Sequence, residues 1–430
     1  MLYQLHEWQS AAATPLRLLV EAGHRVLRHP LAPAAVAPLG GMFAAAHTMF
    51  EFANRHHCKP GFDLDGVTIG RAETTVSEVA VCRRPFCTLL RFACERPAAA
   101  PKVLLVAPLA GHFAAQLRDM VAALLPAHDV YVTDWVDARE VRLSEGGFDL
   151  EDCIAYVRDF LRLLGPDLHV IAICQATVPV LAAVSLLAAD KDPATPRSMV
   201  LLGGPIDTRT NPTAIDRMAT GHSLSWFERT QIARVPSHYP GRDRWVHPGF
   251  IQRATFLASN VDRLTALNLR LVDSQLRGRG DVALACERFY EDYLSVMDLP
   301  AEFYLQTVRL VFQEHALPRG MMAWRGRKVD PAAIRDTALM TVEGGRDDVS
   351  GRGQTHAAHD LCPNIAPHKR RRHVAPEADH IDLFSGRCWA ESILPQVHDF
   401  IHTREPGRAA PPRGRGRSRR PQVRRSAADR

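Results

Sequence analysis

The run His169-Val170-Ile171-Ala172-Ile173-Cys174-Gln175-Ala176-Thr177 constrains this chain more than any other segment. An apolar strand ends on a cysteine with alanines two residues away on either side, and a helix-forming stretch, 178–189, follows at once. So short a strand-to-helix turn brings two backbones close together, and small residues such as Ala172 and Ala176 are what such a crossing needs. The layout is that of a nucleophile elbow, which usually carries serine between glycines. On this reading Cys174 attacks an ester or thioester carbonyl. The competing reading makes Cys174 a small, inert apolar residue of a core strand, and the residues farther along bear on the choice.

The elbow sits inside an alternation of strands and helices. The segment 102–107 is a continuous apolar strand of the kind buried on both faces of a parallel sheet. Helix 114–125, strand 129–133, helix 150–164, strand 168–173, helix 178–189 and strand 198–203 follow. Helix 150–164 carries Ile154, Val157, Leu161 and Leu164 on one stripe, with Asp149 as its N-cap. The pattern predicts an α/β fold, a mostly parallel sheet covered on both sides. Short alternating strands over 66–95 precede it. After residue 206 the alternation stops. Residues 207–325 are rich in aromatics with helix-like spacing and read as a largely helical cap insertion. The core resumes with a strand over 337–343, a last strand over 370–374 and a closing helix over 389–402. The expected organisation is an N-terminal helical segment (1–57), a core made of 58–206 and 326–403, the cap (207–325) and a disordered Arg/Pro-rich tail (404–430).

The 430-residue chain is long enough for a large core. Its net charge of +6 misleads, because residues 404–430 alone carry ten arginines against Glu405 and Asp429, so the rest of the chain is near −2. The body therefore has no compositional mark of a nucleic-acid binder, and no specific nucleic acid is expected as a partner. Nine scattered cysteines without a Cys-x-x-Cys pair argue against zinc or redox motifs of that kind. Neither a signal-like N-terminus nor an apolar run of membrane-spanning length is evident, which predicts a cytoplasmic protein in which a free thiol survives.

Acyl transfer by a thiol needs a base to take its proton and a carboxylate to orient that base. In folds with a nucleophile elbow the chain order is nucleophile, acid, histidine. Here Cys174 is followed by Asp347 and Asp348 after one strand and by His380 after the next. Each candidate thus lies at the C-terminal end of a strand, where open parallel sheets carry their sites, and together they predict an α/β-hydrolase fold. Asp347 and Asp348 both remain candidates, with Glu343-Gly344-Gly345-Arg346 favouring a sharp turn into Asp347. The oxyanion is expected to meet the backbone amides of Gln175 and of Leu109 or Ala110, in the loop after strand 102–107. His112 is either an auxiliary group or a hydrogen-bonded loop histidine. Asp137 and Arg139 read as a structural ion pair.

Pro85-Phe86-Cys87, Ala107-Pro108-Leu109-Ala110-Gly111-His112-Phe113, Thr133-Asp134-Trp135-Val136-Asp137-Ala138-Arg139, Ile173-Cys174-Gln175-Ala176, Gly203-Gly204-Pro205-Ile206-Asp207, Arg346-Asp347-Asp348-Val349-Ser350-Gly351 and Phe384-Ser385-Gly386-Arg387 together resemble the intracellular polyhydroxyalkanoate depolymerases, in order, over residues 1 to about 403. The resemblance implies Cys174 as nucleophile, Asp347 as acid and His380 as base, cleaving stored poly(3-hydroxybutyrate) through a thioester acyl-enzyme. It implies no metal or bound cofactor, coenzyme A as an acyl acceptor alternative to water, a polymer granule surface as partner, a granule-associated cytoplasmic location, and leaves a homo-oligomer open. One departure stands out: Asp379 precedes His380 where the family usually has glycine, and an adjacent carboxylate is expected to raise the histidine pKa. The basic run 368–373 would offset it. The rival readings are a synthase-like acyltransferase and a granule-associated protein with impaired catalysis.

Overall fold

The structure is a computed structural model that describes residues 2–4, 7–8, 59–95, 100–259, 261–277 and 280–404. The N-terminal helical segment, apart from a few residues, and the arginine-rich tail beyond Arg404 lie outside the described residues.

The core is one nine-stranded sheet. Its strands are β1 (Gly66–Ile69), β2 (Ala72–Arg84), β3 (Cys87–Cys94), β4 (Lys102–Val106), β5 (Asp129–Trp135), β6 (Leu168–Ile173), β7 (Ser198–Leu202), β13 (Ala338–Gly344) and β14 (Arg370–Ala375). The spatial order is β1-β2-β3-β5-β4-β6-β7-β13-β14. β1, β2 and β3 pair antiparallel, β3 meets β5 antiparallel, and every pairing from β5 to β14 is parallel. This is the α/β-hydrolase fold. β4 lies between β5 and β6, so successive crossovers leave it in opposite directions. That reversal opens a crevice at the C-terminal strand ends, beside the loops after β4 and β6.

The central strands form where the apolar runs demand it. Every residue of β5, β6, β7 and β13 is buried, as expected of strands covered on both faces. Burying each Val, Leu or Ile there stabilises the fold by roughly 1.5–3 kcal/mol before entropy is charged. The helices that cover them are α1 (Arg118–Leu124), α2 (Leu150–Leu164), α3 (Thr177–Ala189) and, near the C-terminus after the short helices α10 (Ala358–Leu361) and α11 (Gly386–Cys388), α12 (Leu394–His402). Asp149 caps α2 as expected: its carboxylate accepts the Asp152 amide at 2.9 Å, and Asp152 returns the bond to the Asp149 amide at 3.2 Å. α3 is buried around almost its whole circumference and so has no amphipathic stripe.

Two expected helices are subdivided. Residues 114–125 begin as a 3-10 turn (Ala114–Leu117) before α1. Residues 389–402 open with a wide π-type turn (Trp389–Ile393) ahead of α12. Pro395 has no amide to return to residue 391, so an ordinary helical ladder cannot run through it.

Between β7 and β13 the chain forms α4 (Ala214–Gly221), α5 (Leu224–Gln231), α6 (Gly249–Ser259), α7 (Val261–Leu276), α8 (Gly280–Leu294) and α9 (Ala301–Thr307). It also holds strands absent from the sequence reading. β8 (Ala233–Arg234), β9 (Trp245–His247) and β10 (Leu299–Pro300) make a small antiparallel sheet, and β11 (Ala323–Trp324) pairs with β12 (Arg327–Lys328) across Arg325-Gly326, both at positive φ. Strands of two or three residues carry no readable alternation. This segment is stitched to the C-terminal edge of the large sheet. Met297 donates its amide to the Gly111 carbonyl at 2.7 Å, and the Ala138 amide donates to Asp298 at 3.0 Å.

Candidate active site

β6 delivers Cys174 directly into a 3-10 turn (Cys174–Ala176) that runs on into α3. Cys174 has φ +54, a left-handed conformation that costs a non-glycine residue energy and persists where the surroundings enforce it. Ala172 and Ala176 are buried on either side. The enforcement is visible nearby: the Thr177 hydroxyl donates to the Cys174 carbonyl at 2.8 Å. Thr177 in turn packs so tightly on Gly204 that a Cβ there would lie 1.9 Å from Thr177 Oγ1. Gly204→Ala is therefore expected to overpack the elbow and cost about 1–3 kcal/mol, read as a lower thermal midpoint. An unchanged midpoint would show that Thr177 moves aside freely.

β13 ends at the Gly344-Gly345 turn, and Asp347 follows. A Cβ on Gly345 would lie 2.1 Å from the Pro376 carbonyl, so the chain turns this sharply only because that position is glycine. Asp347 Oδ1 accepts the amides of Val349 at 2.9 Å and Ser350 at 2.8 Å, and its Oδ2 faces His380 Nδ1 at 2.9 Å. Its carboxylate is fully buried. A carboxylate only accepts, so Nδ1 of His380 carries the proton and Nε2 is left for the hydrogen bond that the ring also shares with Cys174. Burial pushes the His380 imidazole down, yet the charges of Asp347 and Cys174 and its hydrogen bonds to both outweigh burial, so it stands well above its ordinary value. The three side chains thus meet across 206 residues of sequence, from Cys174 to His380. Asp348 is exposed.

Asp379 also braces the chain just after His380. Its Oδ1 accepts the amides of Ile381 and Asp382, both at 3.0 Å, holding the short turn Ile381–Leu383. The basic run likewise serves other partners: Arg371 pairs with Asp399 and Arg370 donates to carbonyls of 359–365.

The loop after β4 approaches the elbow from the other side of the crevice. The Leu109 amide donates to Gln175 Oε1 at 3.2 Å, so it is already engaged with the buried Gln175 side chain. The amide of Ala110 makes no such bond, and the Gln175 amide lies in the first turn after the bend, where helical amides lack an internal acceptor. His112 is half-buried. Its Nε2 lies 3.1 Å from the Tyr293 carbonyl and its ring stacks on Phe256 at 4.5 Å. These contacts tie the loop to α8.

Burial pushes His112 down to about 4, His247 and His359 to about 4 and His128 to about 3. The unfolded chain binds those protons near pH 6.5 and the folded chain only near 3 to 4. Stability is therefore expected to fall as pH drops from about 6.5 towards 4, at ~1.4 kcal/mol per pH unit for each such group. His112→Gln keeps a donor for the Tyr293 carbonyl without the titration. Its denaturation free energy should lose one such increment of slope over that range, and an unchanged slope would contradict the assignment.

Sequence reasoning missed Gly203. At φ +52 it passes so close to the site that a Cβ would lie 3.2 Å from both His380 Cε1 and Asp347 Oδ2. The paired glycines at 203 and 204, straight after a buried strand, were its signal. Asp137 and Arg139 form the expected ion pair at 3.1 Å, while Asp134 pairs with Lys59.

Residues 203–405 match the protein-family model described as PHB de-polymerase C-terminus, a span that contains Asp347 and His380 and begins after Cys174. This part of the chain is similar to the PHB depolymerase family. No curated protein matches the chain. Among solved structures, a putative lipase from Acinetobacter baumannii AYE is 10% identical, with a TM-score of 0.41 over 77% of this chain and 93% of its own. A monoacylglycerol lipase from Paleococcus ferrophilus is 12% identical, with a TM-score of 0.43 over 70% and 94%. The α/β hydrolase GrgF from Penicillium sp. sh18 is 14% identical, with a TM-score of 0.43 over 76% and 98%. The PHB depolymerase region and the hydrolase sheet order support an ester hydrolase of the PHB type. Among the described residues no helix is long and apolar enough to cross a membrane, and the eight cysteines are free thiols.

Proposed function

We propose that this chain cleaves the ester bonds of stored poly(3-hydroxybutyrate), with Cys174 as nucleophile, His380 as base and Asp347 as its orienting acid. The observation that carries the reading is the imidazole of His380 held between the buried Asp347 carboxylate and the Cys174 thiol. Cys174 Sγ gives its proton to His380 Nε2 and attacks the ester carbonyl carbon, forming a C–S bond. The oxyanion is met by the amides of Gln175 and Ala110. Collapse breaks the C–O bond, and His380 returns the proton to the departing hydroxyl. Water then attacks the thioester, His380 takes its proton, and the C–S bond breaks to release the hydroxyacid and regenerate the thiol. No metal or bound cofactor enters these steps, and the thiol of coenzyme A can replace water as acceptor. The substrate is a granule surface, which places the protein on storage granules in the cytoplasm.

Asp379 Oδ1 braces the turn that follows His380, which supports a working site over one with impaired catalysis. The test is incubation with amorphous poly(3-hydroxybutyrate) granules beside a short-chain nitrophenyl ester. Release of 3-hydroxybutyrate from granules is expected. Ester cleavage without any release from granules would overturn the polymer as substrate.

A further inference from the structure

At the opposite rim of the sheet, three imidazoles converge. His128 is fully buried and directly precedes β5, at its N-terminal end, whereas Cys174, Asp347 and His380 follow the C-terminal ends of their strands. His398 and His402 project from α12 at the i, i+4 spacing that puts two side chains on one helix face. One ring nitrogen from each of the three lies within 4.8 Å of the others. The ring centroids are 4.7, 5.7 and 6.0 Å apart. We propose that His128, His398 and His402 form a binding site for a divalent late transition ion, Zn²⁺ in the first instance, clamping α12 to the start of β5.

The chemistry of the three rings suits that ion. His128 Nδ1 lies 3.2 Å from the Leu124 carbonyl, which only accepts, so Nδ1 carries the proton and Nε2 presents its lone pair to the cluster. A metal-ligating histidine is oriented in the same way, by donating its other nitrogen to a backbone carbonyl. Two histidines at i, i+4 on a helix present one edge of a tetrahedral zinc site, and a third closes the face, leaving one position for water. Zn–N bonds of about 2.0–2.1 Å set the nitrogens roughly 3.3 Å apart. Closing the present spacing of up to 4.8 Å to that value takes ring rotations that bring the nitrogens together by roughly 1.5 Å. The C-terminal carbonyls of α12 add a favourable potential for a cation beside His402. An all-imidazole set suits Zn²⁺, Ni²⁺ or Cu²⁺ and disfavours Mg²⁺ or Ca²⁺.

The test uses the untagged full-length chain, stripped with a chelator. Titration with Zn²⁺ should give one ion per chain, and Co²⁺ in its place should show the intense visible absorption of a tetrahedral site. His398→Ala and His402→Ala, both half-buried, should each weaken binding at least tenfold and abolish that absorption, while His402→Cys, which supplies another ligand, restores it. His222→Ala and His238→Ala, exposed and elsewhere, serve as controls and should change nothing. Melting of each variant without metal confirms that it folds. No retained zinc after dialysis, or one zinc whose affinity ignores both α12 substitutions, would overturn the site.

Discussion

Cys174→Ala is expected to lower hydrolysis of poly(3-hydroxybutyrate) by about 10³-fold or more while leaving the protein folded. In the proposed mechanism the sulfur forms the acyl bond, and alanine offers no group to replace it. Cys174 is only partly buried, and alanine fills a position flanked by Ala172 and Ala176, so the cost in packing is small. A residual rate over water should persist if the amides of Gln175 and Ala110 form the proposed oxyanion site, since the variant leaves them in place. The measurement is 3-hydroxybutyrate release at saturating granule concentration, paired with mass spectrometry of the denatured protein. An acyl adduct on the unaltered chain, absent from Cys174→Ala, is the second expected result. Full activity in the variant would remove Cys174 from the mechanism.

Asp347→Asn should be nearly as damaging, about 10³- to 10⁴-fold in kcat, for a different reason. The asparagine Oδ1 can still accept the amides of Val349 and Ser350, so the loop keeps its shape. Its amide now donates towards His380 Nδ1, where a carboxylate accepted. The ring must then carry its proton on Nε2, facing the sulfur, and cannot take the thiol proton. The partnership that lifts His380 well above its ordinary value is lost as well. Thermal stability should change far less than rate. Asp348→Asn is the internal comparison: that side chain is exposed, and its activity should stay within about twofold. The reverse ranking of the two variants would exchange their roles.

The parts of this protein legible in one dimension are those that depend on neighbours in sequence. The ends of α2 and its Asp149 cap, the span of β6 and the bend at Cys174 follow from side chains within a few residues of one another. The small strands β8 to β12 were not legible, since each exists only because another strand lies beside it. Asp347 and Asp348 look alike in sequence, and the side chain that is buried, amide-bonded and set against His380 is the difference between them. Nothing in the sequence shows that Asp379 Oδ1 braces the next two residues through their backbone amides. Leu109 looked like an available donor, until the Gln175 side chain took its amide.

Composition, apolar runs and the order of cysteine, aspartate and histidine determined the sheet, the bend and the candidate chemistry, because local propensity and burial act along the chain. Which aspartate meets the imidazole, which amides stay available and how close Gly203 and Gly204 pass to the site were decided by the tertiary structure alone. Hydrogen bonds and excluded volume act over a few ångströms in space, between groups that the chain separates by up to two hundred residues.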